Sequence, residues 1–395
     1  MPPGGLPSPW RLLLPRDELD LERTLTSGQS FRFAGSCGKL GRGCFSQQGG
    51  ALSGVLTTGD VVELRYCATG QTAGAEEWTE WRVVAGRLDR AEGELRRLLH
   101  AEAPPLAPLE LAFAAACPAY AAQRRRLGGR CGVRLLAVAP FEALIAFVLS
   151  SVNNVVRISQ IVERLAKHFE GNLLHVAEGG RRYYRFPSPQ QLATLSEARL
   201  RDLGCGFRAP FVQAAAQEVV ARGDDWLLSL SAERATAEEA RAELMALRGV
   251  GRKVADCVLM ASLGHHSVVP VDTHCWQMVQ RWYLPHLRGK SLTAARYKEA
   301  ASAITARFGG YAGWAFMGLF CAELASFKAS LLEDSLDDMD LDDNGAQHYC
   351  EEVRAAACAR APPSTPGSVT DGSRGLQRKR RRPTPPEPAI AEAVR

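Results

Sequence analysis

LRGVGRKVADCVLMA at residues 247–261, followed by VVPVDTHCWQMVQR at residues 268–281, is the stretch on which the reading of this chain turns. Leu247–Lys253 lies between two runs of helical periodicity, and two glycines within three positions, Gly249 and Gly251, let the backbone turn tightly and come close to a partner. The helix that opens there, expected over 252–263, begins with N–H groups that have no partner inside it, at the positive end of its dipole. Such a turn suits an anion, phosphate above all. The hairpin residues Gly249, Val250 and Gly251 offer no side chain that reads a base, so the contact would be independent of sequence. Taken alone, the same turn also serves as a plain cap between two helices.

Lys253 opens a helix that is otherwise apolar, with Val254, Cys257, Val258 and Ala261 on its buried face. An ammonium gains nothing from the positive end of a helix dipole, and a neutral amine is what a nucleophilic lysine needs. The competing reading is a surface lysine that snorkels to solvent. Further on, the β-branched run Val268–Val271, interrupted by Pro270, forces extended chain and delivers Asp272 to the N-cap of the next helix. A cap does not by itself explain why an apolar approach carries a carboxylate inward. If the two helices run antiparallel, Lys253 and Asp272 face one cleft.

Outward from this centre, helical periodicity covers 188–195, 208–222, 236–247, 252–263, 273–280, 294–308 and 312–327, with the apolar stripes Ile145, Val148, Leu149 and Ile158, Val162, Leu165 before them. These make an all-α domain over 126–327. Before it, Leu52–Leu56 and Val61–Tyr66 read as strands joined by Thr58-Gly59-Asp60, and Glu76–His100 reads as helix. Residues 1–125 are therefore expected to form a mixed domain on an antiparallel sheet, and the fold class is α+β. From 328 to 395 periodicity is lost and disorder is expected. That tail holds Glu333–Asp343, with seven acids and no base, and the five consecutive bases Arg378–Arg382, read as a nuclear localisation signal with a DNA-binding tail as the weaker alternative.

The bulk properties agree. A chain of 395 residues suggests two or three cores. Its formal charge of +5 becomes +12 once the seven acids of 333–343 are set aside, and a basic body suits a polyanionic partner. Eleven cysteines without a CxxC pair argue against a disulfide framework or an iron–sulfur cluster and favour a reducing compartment. Trp10–Leu14 is too short for a signal h-region, and the apolar run 135–152, broken by Pro140 and Glu142, reads as a buried helix rather than a membrane span. A monomer in the nucleus is expected, with the mitochondrion as a second location.

The two opening stretches closely resemble the helix-hairpin-helix and Gly/Pro-Asp motif of base-excision DNA glycosylases. SGQSFRF at Ser27–Phe33, SSVNNVVRI at Ser150–Ile158, LGCGFRAPFV at Leu203–Val212 and GGYAGWAFMGLF at Gly309–Phe320 narrow the resemblance to the eukaryotic 8-oxoguanine DNA glycosylase family, over about residues 15–327. The resemblance implies duplex DNA containing oxidised guanine as partner, no cofactor, and a lesion flipped out of the helix into a pocket. It implies that Lys253 attacks the deoxyribose C1′ and forms a Schiff base, that Asp272 stabilises the cationic sugar and helps proton transfer, and that β-elimination then nicks the strand. The Gly28 carbonyl would accept the lesion's N7–H, which intact guanine lacks. Cys257 and Phe320 match positions flanking the base, and His274 matches one near the 5′ phosphate. Asn153, Arg157 and Arg208 match the region that handles the estranged cytosine. The hairpin resembles ones that hold a structural cation on backbone carbonyls, here Met245, Leu247 and Val250, with no catalytic metal.

Three positions depart from the family pattern. Val152 stands where the first of three asparagines is expected, and it can wedge but cannot hydrogen-bond an orphan cytosine. Phe207 replaces a tyrosine wedge, keeping the ring and losing the hydroxyl. Phe316 replaces a glutamine that contacts the lesion's Watson–Crick edge, leaving stacking to hold a purine. Two other readings follow: a sister glycosylase for another damaged purine, and a noncatalytic DNA-binding protein that kept the hairpin. The second has no need of Lys253 and Asp272.

Overall fold

The computed structural model describes residues 7–35, 50–69, 76–223 and 225–324. The acidic stretch, the basic cluster and the tail expected over 328–395 lie outside them.

The N-terminal part is a five-stranded antiparallel sheet. Strands β1 (Arg11–Pro15), β2 (Phe33–Gly35), β3 (Leu52–Val55), β4 (Val61–Ala68) and β5 (Glu77–Ala85) pair in the order β1-β5-β4-β3-β2. A one-turn helix, α1 (Leu21–Leu25), is capped by Asp20, whose carboxylate accepts from the Arg23 N–H. Both strands read from sequence are present. The helix expected over Glu76–His100 is not: that segment divides into β5 and a shorter helix, α2 (Leu88–Leu98). The reason lies across the ladder. Along β5 only Thr79, Trp81 and Val83 are buried, a period of two. Its charges face opposite charges on β4, Glu80 against Arg65 and Arg82 against Glu63. Such cross-strand pairs stabilise a sheet, and nothing in the local sequence window shows them.

The rest is helical: α3 (Leu106–Ala116), α4 (Pro118–Arg126), α5 (Pro140–Leu149), α6 (Val155–His168), α7 (Pro189–Ala193), α8 (Glu197–Leu200), α9 (Ala209–Arg222), α10 (Trp226–Ser229), α11 (Ala237–Met245), α12 (Arg252–Ala261), α13 (Thr273–Trp282), α14 (Ala294–Phe308) and α15 (Ala312–Glu323). Their starts carry the expected chemistry. Asn154, Ser188, Thr236, Asp272 and Thr293 all accept N-cap bonds, and Ser188–Gln191 and Thr236–Glu239 close capping boxes. A small antiparallel hairpin, β6 (Leu173–Val176) with β7 (Arg182–Tyr184), interrupts the helices, too short for its alternation to stand out in sequence.

One apolar core joins the two parts. It runs from Leu13, Leu64 and Trp81 in the sheet through Ala143–Leu149 of α5 to Val254–Ala261 of α12. The linking segment is tied down by buried polar groups. Glu110 accepts from the Cys131 and Gly132 N–H groups, and Arg134, 1% exposed, donates to the Leu99 carbonyl and pairs with Glu18 at 3.1 Å. Among the described residues no helix is long and apolar enough to cross a membrane.

Candidate active site

The hairpin between α11 and α12 places the lysine. Gly249 has φ +85°, and a Cβ there would meet the Phe211 ring at 2.2 Å, so α9 and the left-handed backbone both require glycine. The Val250 N–H closes the turn on the Leu247 carbonyl at 3.1 Å, while the Val250 side chain is buried in the core. Gly251 is the N-cap of α12, and nothing lies within 4 Å of where its Cβ would stand. The Val250 N–H is thus committed inside the turn, whereas the first N–H groups of α12 have no partner within their own helix. The expected cation donors, the Met245, Leu247 and Val250 carbonyls, belong to the last residue of α11 and the turn before α12. A helix C-terminus carries a partial negative charge, and although the Leu247 carbonyl already accepts from the Val250 N–H, a carbonyl keeps a second lone pair, so the donor set fits a hard cation.

From this turn Lys253 reaches across to α5. Its Nζ donates to Ser150 Oγ at 2.9 Å and sits 5.7 Å from the centre of the Phe147 ring. Ser150 Oγ in turn donates to the Phe147 carbonyl at 2.7 Å, which fixes the hydroxyl's lone pairs toward the lysine. The surface-lysine reading is thereby set aside, since Lys253 is partly buried and lines a cleft of about 390 Å3. Ser150 is the partner that sequence reasoning missed. It stood within a quoted motif, but 103 positions separate it from Lys253.

Asp272 lines the same cleft, brought there by the buried extended run Val268–Val271. One carboxylate oxygen accepts from the Cys275 N–H at 2.8 Å, so the residue caps α13 and faces the cleft at once. Gly28, Asn153, Cys257, His274, Phe316 and Phe320 complete the predicted set found there. Gly28 has φ +88°, and a Cβ would press on Val155 at 3.1 Å. Burial pushes the Cys257 thiol up to about 11, with Lys253 pulling the other way, so it is a neutral wall at pH 7. Phe316 and Phe320 stand 5.6 Å apart at 35°, and exposed His274 meets Phe320 edge-on at 6.1 Å.

The loop between α5 and α6 forms the rim. Asn153 lines the cleft, yet its amide is used at home, donating to the Leu149 carbonyl and accepting from the Asn154 N–H. Arg208 is 4% exposed and spends its guanidinium on the carbonyls of Ser151 and Val152. It holds this loop up from beneath. Arg157 is exposed on the first turn of α6 and is outside the cleft lining. Val152 at the tip is 93% exposed with φ +52°, and Phe207, 54% exposed, stacks on the Arg208 guanidinium at 4.2 Å. The rim therefore presents two apolar points supported by a buried arginine.

Comparison with known proteins bears on this arrangement. The model of a family described as HhH-GPD superfamily base excision DNA repair protein matches residues 145–302. Over 365 residues the chain is 34% identical to the N-glycosylase/DNA lyase OGG1 of Arabidopsis thaliana, covering 91% of this chain and 90% of that one. The N-glycosylase/DNA lyase of Saccharomyces cerevisiae is 34% identical over 223 residues, 50% of this chain and 59% of the relative. Among solved structures, MBOgg1 in complex with a low-affinity DNA ligand matches with TM-score 0.62 at 24% identity, covering 81% of this chain and 96% of that one. The Clostridium acetobutylicum 8-oxoguanine glycosylase/lyase, in complex with duplex DNA containing cytosine opposite 8-oxoguanine, matches with TM-score 0.59 at 20% identity, covering 77% and 91%. At these identities the two structures speak to the fold alone.

Proposed function

Because the chain belongs to the HhH-GPD superfamily of base-excision DNA repair proteins, we propose that it is a bifunctional DNA glycosylase and AP lyase that removes 8-oxoguanine, paired with cytosine, from duplex DNA. The observation that carries the proposal is the meeting of Lys253 and Asp272 in one cleft, with the amine aimed by Ser150. The base is flipped into the cleft, where Phe320 and Cys257 flank it and the Gly28 carbonyl accepts N7–H. The amine of Lys253 attacks C1′; the C1′–N bond forms as the glycosidic bond breaks, and the base leaves with its electron pair. Asp272 stabilises the positive charge that develops on the sugar. The nitrogen gives up a proton and the C1′–O4′ bond breaks, O4′ taking up a proton, to leave the ring-opened Schiff base; loss of a proton from its C2′ then expels the 3′ phosphate. The hairpin donors and His274 hold phosphates, and Val152 and Phe207 fill the space the base vacates. A cation on the hairpin carbonyls is structural.

The protein acts as a monomer in the nucleus, or also in the mitochondrion, and is organised as a sheet domain over 1–125, a helical domain over 126–327 and a tail over 328–395. Borohydride trapping on 8-oxoguanine duplex should give a covalent adduct that Lys253→Gln abolishes; a variant that still traps overturns the assignment of the lysine. The apolar Phe316, 3% exposed in the cleft wall, favours one further reading, a related glycosylase for another damaged purine. A panel of lesions and opposite bases separates the two.

A further inference from the structure

Lys253 and Asp272 stand on different segments, and something must fix their separation. Asp272 follows Val271 at the end of an extended run, whereas Lys253 belongs to α12. The structure joins these segments through one buried phenol. The Tyr297 hydroxyl, on the first turn of α14, accepts from the Val271 N–H at 2.9 Å and donates to Asp256 Oδ2 at 2.8 Å. Asp256 lies on α12 three residues after Lys253, is 1% exposed, and is held on its other oxygen by Arg241 of α11. Arg252, one residue before Lys253, lies over the Tyr297 ring at 5.2 Å and 3.8 Å from Asp256.

We propose that Tyr297 is a positioning residue for base excision, a bolt that sets the approach of Asp272 against the helix of Lys253. This rests on the glycosylase reading above. The argument is geometric. Val271 N–H is the backbone donor one residue before the carboxylate, and Asp256 shares a rigid helix with the amine. A single oxygen bonded to both fixes the two catalytic segments to each other without touching substrate. Reaction rates fall steeply when reacting groups are displaced by about 1 Å, so a bolt at this place acts on the chemical step. A core phenol that only filled space would satisfy its hydroxyl anywhere; this one spends both its donor and its acceptor between the two segments that carry the chemistry.

Tyr297→Phe removes that oxygen and keeps the ring. In the full-length chain, single-turnover release of the base should fall at least tenfold while the Kd for lesion duplex stays within about twofold of the unaltered chain. Ile304→Val, a core substitution on the same helix, should lower the unfolding midpoint and leave the release rate unchanged, which separates positioning from general destabilisation. Amide exchange at Val271 in the unaltered chain reads the bond without any substitution and should be as slow as the core; exchange at the rate of a surface loop overturns the proposal. So does a folded Tyr297→Phe chain whose release rate is within threefold of normal. If the unaltered chain releases no base at all, the glycosylase reading fails and this one with it; if it does and Tyr297→Phe matches it, this one alone fails.

Discussion

Val152 is a β-branched residue in the left-handed region, φ +52°, at the tip of the rim loop. For an L-residue that backbone costs about 1–2 kcal/mol, while asparagine visits it routinely. The side chain is 93% exposed, so a substitution forfeits almost no apolar burial to set against the relief. The conformation persists because Arg208 grips the carbonyls of Ser151 and Val152 from below. Val152→Asn should therefore stabilise the chain by about 1 kcal/mol, since Asn relieves most of the backbone term. Val152→Gly relieves the same strain but frees the unfolded chain by about 0.5–1 kcal/mol, so its net gain should be smaller, about 0.5 kcal/mol. Thermal unfolding of the full chain reads the order: the midpoint for Asn should lie about 1–3 °C above Val, with Gly between the two. An Asn variant no more stable than the parent would refute the strain argument, whatever its effect on activity. The same variant restores a hydrogen-bonding group at the rim and should sharpen the preference for cytosine opposite the lesion.

Three further outcomes are expected. Ser150→Ala removes the acceptor that aims Lys253; single-turnover excision should drop about tenfold, the equivalent of about 1.4 kcal/mol, with DNA binding unchanged, and an unaltered rate would show that the lysine is aimed by other means. Burial, assisted by His266, Arg134 and Arg97, holds the His100 imidazole down to about 4, below its ordinary value, so its contribution to stability is complete above about pH 6.5 and is lost as pH falls toward 4. Denaturant midpoints against pH should show this loss, and His100→Asn, which suits the residue's φ of +47°, should flatten it. Burial lifts the Glu142 carboxyl to about 7; here the favourable contribution lies below about pH 4.5 and disappears as pH rises through 7. Glu142→Gln should accordingly stabilise the chain more at pH 8 than at pH 5, and an equal gain at both would contradict the assignment.

What could be read from the sequence was whatever the backbone writes locally. Gly249 and Gly251, the cap at Asp272 and the 3.6-residue period of 252–261 each act within a few positions, and together they pointed to the lysine and the carboxylate. Pairings between distant segments left no such mark. The hydroxyl that aims Lys253 comes from the residue just past the end of α5, and the charges of β5 made sense only once β4 lay beside them. Arg208 shows the same limit. The resemblance marked it only as a residue near the DNA, and its buried bonds to the loop that carries Val152 could not be read from the sequence.

The cleft draws on separate stretches of the chain. The stretch that matches the family model, 145–302, supplies Ser150, Lys253, Cys257 and Asp272, whereas Gly28, Phe316 and Phe320 stand outside it on segments contributed by the N-terminal part and by α15. Lys253 and Asp272 thus stand on one stretch of the chain and much of the remaining cleft wall on others. Residue 316 can change on one wall without altering the segment that holds the amine on the other, so the range of bases admitted need not be tied to the attacking group.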